Sequence, residues 1–217
     1  TIQKILGAIN KNKIIGLDWL TTLLDNLIKL NNITRIVKDQ KLSFLEFSKQ
    51  VYKEQGINYP KFFKMDNLCK LAFLAAEILC NNDIIKAEDK EQMAIVLSNR
   101  SSSLDTDKKH QDTIADLINY YPSPAIFLYT LPNITIGEIS IKHKIKGENA
   151  FFVLDKFNAE ILMQYATSLV QSKKSNHVLC GWVDYDDGKY HALMYIVTEN
   201  GSYKQTQEFI NKIFKES

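Results

Sequence analysis

A strand followed by a helix is encoded in residues 150–170, which read AFFVLDKFNAEILMQYATSLV. Residues 150–154 form an uninterrupted apolar run, which is typical of a buried strand. The apolar residues that follow recur at helical spacing and predict a helix over residues 160–170 with one buried face. Such a strand and helix in succession are typical of α/β proteins. The residues of the helical face are Ile161, Leu162, Tyr165, Ala166 and Leu169.

Two strands and a helix are predicted after this unit. Residues 177–183 and 191–197 are apolar, and the Asp-Asp-Gly sequence at 186–188 between them is typical of a hairpin turn. We expect this hairpin to form an antiparallel edge of the sheet. Ser202 is the expected N-cap of a last helix that buries Phe209, Ile210, Ile213 and Phe214.

The patterns before residue 150 also alternate between helix and strand. They predict an α/β fold with a mixed sheet and helices packed on it, in a single domain over residues 1–217. In chain order they give a strand over 4–9, a helix from Asp18 to about Leu30, a short helix over 44–52, a helix over 61–80, a strand over 93–97, a polar loop over 99–107, a helix over 112–119 and a helix or strand over 134–141.

The composition indicates a folded chain and argues against several functional classes. The chain has 217 residues, of which 45% are hydrophobic, and a formal net charge of +2. This balance argues against a disordered chain and against a generic nucleic-acid binder. The three cysteines are widely spaced, and no glycine-rich nucleotide loop is present, so we expect no disulfide, metal or cofactor. Without a signal peptide or a membrane-length apolar run, the expected location is cytoplasmic.

Three segments in order carry a resemblance to a known family. A Lys-Met-Asp sequence at 64–66 leads into a helical pattern, and the apolar run at 93–99 follows. The third segment combines Ser-Pro at 123–124, Pro-Asn-Ile-Thr-Ile-Gly-Glu at 132–138 and Lys-Gly at 146–147. Together they resemble the N-terminal half of a β-ketoacyl-acyl-carrier-protein synthase, which has the thiolase-like fold. The resemblance covers about residues 60 to 197.

At the catalytic position, this chain differs from the family that it resembles. In active synthases a cysteine lies where a strand meets the N-terminus of a buried helix, and the ungapped position here is Lys156, flanked by Asp155 and Phe157. A lysine ammonium is unfavourable at a helix N-terminus and forms no thioester. The histidines of the family lie in a second half, which this length does not accommodate. We therefore expect no condensing activity and a likeness to the chain-length-factor subunits, which also lack the cysteine.

The resemblance also implies where an acyl chain and a partner would lie. The candidate acyl pocket consists of Asn133, Ile134, Gly137 and Phe157. Synthases of this family pair through the strand before the nucleophile helix, which makes Phe151, Phe152 and Val153 the candidate interface. Because a lone half would leave the helix at 158–170 in need of cover, we expect a homo- or hetero-oligomer.

The function expected from these observations is that of a non-catalytic subunit. It would act with a synthase or an acyl carrier protein in fatty-acid, aryl-polyene or polyketide-type biosynthesis. Residues 35–70 hold eight Lys or Arg against four Asp or Glu, an excess that suits an acidic carrier protein. One alternative is an enzyme that uses Lys156 as an amine of lowered pKa, assisted by Asp155 or His143. Another alternative is a stand-alone protein that binds an acyl or polyene chain.

Overall fold

The computed structural model describes residues 15–31, 33–39, 41–80, 90–116, 118 and 120–216. The strand predicted over residues 4–9 lies outside them. The strands are β1 (Ile15–Leu24), β2 (Leu27–Leu30), β3 (Ile33–Val37), β4 (Ala94–Asn99), β5 (Asn149–Val153), β6 (His177–Asp186), β7 (Lys189–Glu199) and β8 (Tyr203–Lys204). The α-helices are α1 (Phe44–Glu54), α2 (Asn67–Cys80), α3 (Leu104–Ile114), α4 (Pro124–Leu128), α5 (Ile134–His143), α6 (Ala159–Gln171) and α7 (Gln207–Glu216), and a 3₁₀ helix spans Pro60–Lys64.

The strands form one mixed sheet in the order β3-β2-β1-β7-β6-β4-β5, with β8 paired to β1. β4 runs parallel to both β5 and β6, whereas the other pairs are antiparallel. The expected α/β fold with a mixed sheet is confirmed. The expectation that the β6–β7 hairpin forms an edge is wrong, because β1 pairs along the open side of β7 and places the hairpin inside the sheet.

Helices cover both faces of the sheet. One core lies between the sheet and α1, α2 and α5, and it includes Phe47, Phe62 and Phe73. Helix α2 is the central helix of this face. It is buried from Leu68 to Cys80, which accounts for its apolar sequence pattern. The second core lies on the other face, where α6 and α7 contribute Leu162 and Ile210.

The helix predicted from Asp18 to about Leu30 is wrong, because this segment is the β1–β2 hairpin. Asp25 and Asn26 form its turn with φ values of 47° and 59°, which Asp and Asn tolerate better than most residues. Leu23 and Ile28 are fully buried as cross-strand partners. Strand β1 pairs with both β2 and β7, and these distant contacts override the helical spacing of its leucines.

Two further expectations about helix ends are corrected by the structure. The last helix is capped by Thr206, whose Oγ1 accepts a hydrogen bond from the Phe209 N–H at 3.2 Å. Ser202 instead donates its N–H and its hydroxyl to Asp18 Oδ1 at 2.7 and 2.9 Å. The helix predicted over 112–119 begins earlier, at Leu104, and ends at Ile114. Helix α3 buries only Thr106, so its sequence shows no apolar stripe that would predict its start.

Candidate functional site

The junction between β5 and α6 has the geometry that the resemblance implies. Strand β5 runs parallel to β4, and the Leu154 N–H extends the pairing by donating to the Asn99 carbonyl at 2.8 Å. The chain then turns into α6, where the Asn158 side chain accepts a hydrogen bond from the Ile161 N–H at 3.2 Å. Before β5, a Cβ on Gly147 would lie 2.3 Å from the Met93 carbonyl oxygen, so this position requires glycine.

Lys156 does not occupy a reactive environment at this junction. Its side chain and that of Asp155 are exposed. No ion pair of Lys156 occurs among the described residues, and Asn158 already satisfies a first-turn N–H group of α6. A covalent amine nucleophile works from a sheltered site that holds the substrate against it, and the Lys156 side chain is exposed. The geometry therefore offers no support for an amine nucleophile.

An aromatic cluster fills the space beside the N-terminus of α6. The ring of Phe157 stacks on Phe214 of α7 with centroids 4.0 Å apart, and Trp182 meets Phe157 edge-on at 5.9 Å. His191 stacks on the other side of Phe214 at 4.5 Å. Burial lowers the pKa of His191, although Asp184 and Asp25 act in the opposite direction. These rings come from four separate segments, so sequence periodicity alone could not predict that they are in contact.

None of the three cysteines is placed to act as a nucleophile. Cys69, Cys80 and Cys180 are all buried and free. Burial raises the pKa of Cys80 to about 12, and it raises those of Cys69 and Cys180 as well. Because the thiolate is the reactive form, these side chains remain protonated and unreactive. The structure thus gives three buried, unpaired thiols.

The four candidate acyl-pocket residues do not meet in one cavity of a single copy of the chain. Ile134 packs against the core under α2, whereas Phe157 packs against the core under α6 on the opposite face. Asn133 is exposed at the start of α5, and Gly137 has open space where a Cβ would lie. Phe157 is therefore part of the aromatic cluster and is separated from the other three residues by the sheet.

The candidate interface lies on an edge strand of the described sheet. Strand β5 pairs with β4 on one side, and its other side carries no partner among the described strands. Phe151 and Phe152 are partly buried against opposite faces of the sheet, and Phe152 meets Tyr165 edge-on at 5.4 Å. Val153 is 53% exposed. The strand thus has free backbone groups beside an exposed apolar side chain.

Helix α6 does not need a partner chain to cover it, although the family resemblance led us to expect one. Its exposed positions are Glu160, Gln164, Ser168 and Gln171, and Gln164 donates to Glu160 at 3.0 Å. A polar outer face is stable against water, so this helix gives no argument for an oligomer. Exposed apolar side chains are concentrated instead in residues 118–131, with Ile118, Tyr120, Tyr121, Phe127, Leu128 and Leu131.

A cleft of about 830 Å³ opens on the face that carries α1 and α2. Its lining includes Lys64, Lys70 and Lys109 from the helical side and Phe44, Tyr185 and Tyr190 nearer the β6–β7 hairpin. No local sequence pattern predicts this cleft, because its walls come from the β1–β2 turn, several helices and the hairpin. Within the described part of the chain, no cluster of three or more metal-ligating side chains occurs.

No family model and no curated protein matches the chain. Solved structures do match. The ishigamide ketosynthase/chain length factor matches with a TM-score of 0.61 at 14% identity, over 89% of this chain and 64% of that one. A ketosynthase in complex with its chain length factor from Xenorhabdus doucetiae matches with 0.56 at 13% identity, over 86% and 80%. A β-ketoacyl synthase from Burkholderia phymatum matches with 0.58 at 10% identity, over 93% and 61%.

These matches show that the chain has a thiolase-like α/β fold. More specifically, its fold is that of the ketosynthases and chain length factors, which confirms the resemblance inferred from the sequence at the level of the fold. The chain spans 64% of the ishigamide protein, so it corresponds to only part of such a chain. Among the described residues, no helix is long and apolar enough to cross a membrane.

Proposed function

We propose that this chain is a non-catalytic β-ketoacyl-synthase-like subunit of the chain-length-factor type, formed by residues 1–217 as a single domain. It acts in the cytoplasm beside a synthase or an acyl carrier protein, in fatty-acid, aryl-polyene or polyketide-type biosynthesis. The proposal is supported by solved structures with this fold, which include a ketosynthase in complex with its chain length factor and an acyl-carrier protein in complex with its ketosynthase.

The observation that carries the proposal is the junction between β5 and α6. The position that a nucleophile would occupy holds the exposed Lys156, and all three cysteines are buried elsewhere. The adjacent space is filled by the stacked rings of Phe157 and Phe214. The chain keeps this strand-to-helix geometry but has no reactive group at the helix N-terminus. It is therefore better suited to act as a supporting subunit than as a condensing enzyme.

Strand β5 is the proposed surface for binding a partner. Its outer edge presents backbone N–H and C=O groups without a partner among the described strands, and such groups readily pair with another strand. Val153 is 53% exposed at the end of the strand and offers an apolar contact there. Phe151 and Phe152 support the strand by packing into the two cores. The proposed partner is therefore a synthase subunit that extends the sheet.

An acidic carrier protein would meet a cationic surface around α1. Lys41, Lys49, Lys53 and Lys64 are exposed and form no ion pair with another described residue. Two other lysines of this stretch are neutralised, because Lys38 pairs with Glu54 and Lys61 pairs with Glu138. The unpaired lysines are therefore available to attract a negatively charged partner.

Co-purification from the native host tests the proposal. The tagged chain should recover a full-length synthase or an acyl carrier protein, identified by mass spectrometry. Val153→Arg should abolish recovery of the synthase, because the new charge would be buried at the strand edge. Tyr203→Arg is the matched control, since Tyr203 is 52% exposed on the distant strand β8. Recovery of neither protein, or equal loss with both variants, would contradict the proposal.

An activity assay separates the subunit from an enzyme. With malonyl-loaded carrier protein, the isolated chain should neither release CO₂ nor form a covalent acyl adduct detectable by intact-protein mass spectrometry. A stable acyl group on Lys156 would instead favour the enzyme interpretation.

A further inference from the structure

The cleft under α1 and α2 combines lysines with aromatic side chains, an arrangement that the proposed subunit role does not explain. It lies on the opposite face of the sheet from the Phe157 cluster, because Phe44 and Met65 belong to one core and Phe157 packs against the other. Its volume of about 830 Å³ falls within the range of roughly 300–1,000 Å³ that is typical of small-molecule sites. The cleft is therefore large enough for a ligand of its own.

Three lysines line the cleft. Lys64, Lys70 and Lys109 line it together. Lys70 is only 6% exposed, and burial is the main cause that lowers its pKa; Asp66 opposes this effect and Lys109 adds to it. Like charges gathered in this way are stabilised by an anion placed between them.

The acidic groups beside these lysines are already engaged within the protein. Asp66 accepts hydrogen bonds from the Cys69 N–H at 2.8 Å and from the Thr106 hydroxyl at 2.7 Å, and it caps the start of α2. Asp105 pairs with Lys109 at 2.6 Å. Lys64 is exposed and has no carboxylate partner among the described residues. Lys64 is thus the cation most available to a ligand.

The cleft also has an aromatic wall. Phe44 lies 5.1 Å from Tyr185 and 4.7 Å from Tyr190, measured between ring centroids. Tyr190 is held in place because its hydroxyl donates to Asn26 Oδ1 at 2.6 Å and accepts from the Asn26 N–H at 2.7 Å. Leu45, which is 44% exposed, extends this apolar wall. A fixed aromatic wall favours a flat apolar group.

We propose that this cleft binds a small organic anion in which a carboxylate, sulfonate or phosphate is attached to a flat apolar body. The acidic group contacts Lys64, which has no carboxylate partner among the described residues, and the body lies along Leu45 and the tyrosines. Asp25, the remaining carboxylate of the lining, lies on the β1–β2 turn beside Asn26, which is hydrogen-bonded to Tyr190.

The probe pair of 8-anilinonaphthalene-1-sulfonate and N-phenyl-1-naphthylamine tests this proposal, because the two molecules share their rings and differ in the sulfonate. Titration of the purified chain should show one sulfonate probe bound per chain, with at least about fivefold weaker binding of the neutral probe. Lys64→Ala should weaken binding of the sulfonate by about fivefold, the size of one solvent-exposed ion pair, and leave the neutral probe unchanged. Leu45→Glu should weaken binding of both.

Two matched controls locate the binding. Lys53→Ala removes an exposed lysine outside the cleft lining, and Leu104→Glu changes an exposed leucine, also outside the lining, that is 41% exposed. Neither should alter the binding of either probe, and circular dichroism should show that all four variants are folded. Equal affinity for the two probes, no effect of Lys64→Ala, or weaker binding in Leu104→Glu would overturn the proposal. Because the isolated chain is used, this result is independent of whether a synthase or a carrier protein binds.

Discussion

Phe157, the residue after Lys156, stacks on Phe214 in the last helix with ring centroids 4.0 Å apart and an interplanar angle of 12°. The contact joins the loop before α6 to α7, although the two residues lie far apart in the sequence. It closes the space beside the helix N-terminus with an aromatic ring. The residue next to the position that the family resemblance associates with acyl transfer is therefore packed, whereas Lys156 at that position is exposed.

Removing the ring of Phe214 should destabilise the fold. Phe214→Ala is expected to lower the free energy of unfolding by about 2 kcal/mol, because a half-buried ring loses its contacts with Phe157, Trp182 and His191. Urea denaturation followed by circular dichroism measures the change. Phe127→Ala is the control, since Phe127 is 56% exposed and should cost under about 0.5 kcal/mol. Equal losses in the two variants would show that the stacked cluster contributes little.

The charge of Lys156 should be slightly unfavourable where it lies. Lys156→Glu is expected to raise the free energy of unfolding by about 0.5 kcal/mol, because a carboxylate near the N-terminus of α6 interacts favourably with the helix dipole. The gain should shrink in about 1 M salt, which screens exposed charges. Lys215→Glu, in the last turn of α7, should have the opposite sign. Destabilisation by Lys156→Glu would indicate that the lysine has a structural partner.

A buried contact between a histidine and a glutamate joins α2 to α5. His143 Nε2 lies 2.6 Å from Glu77 Oε1, and the two side chains are 5% and 1% exposed. His143→Leu or Glu77→Leu alone should cost about 3 kcal/mol, because each leaves the other polar group buried without this partner. The double variant should cost less than the sum of the two single variants. Additive losses in a double-mutant cycle measured by urea denaturation would argue against direct coupling of the two side chains.

His191 should make the fold sensitive to mild acid. Burial lowers its pKa in the folded state below the usual value of 6.5, so the unfolded chain binds a proton first as the pH falls. The stability contribution is therefore present above pH 6.5 and is lost as the pH falls from 6.5 towards the folded pKa. His191→Phe keeps a ring against Phe214 and should lose less stability than the natural chain between about pH 7.5 and about pH 5.5. Parallel pH profiles for the two proteins would rule out this role of His191.

Local patterns predicted the elements whose periodicity is unambiguous. The strand at β5, the helix α6, the β6–β7 hairpin and α1 all lie where the sequence indicated. The leucines of residues 18–30 have a spacing that fits a helix, whereas pairing with β7 selects a strand. Helix α3 was missed in part because it buries a single residue, Thr106, and so has no apolar stripe.

The sequence by itself determined which groups are available: Lys156 at the strand-to-helix junction, three separated cysteines and a local excess of lysine over residues 35–70. It also determined the likeness to the ketosynthase fold, because the order and spacing of short motifs are properties of the chain. Only the tertiary structure decided that Phe157 packs on Phe214, and that Lys64, Lys70 and Lys109 share one cleft with Tyr185 and Tyr190. These groups come from segments far apart in sequence, and long-range packing that no local pattern encodes brings them together.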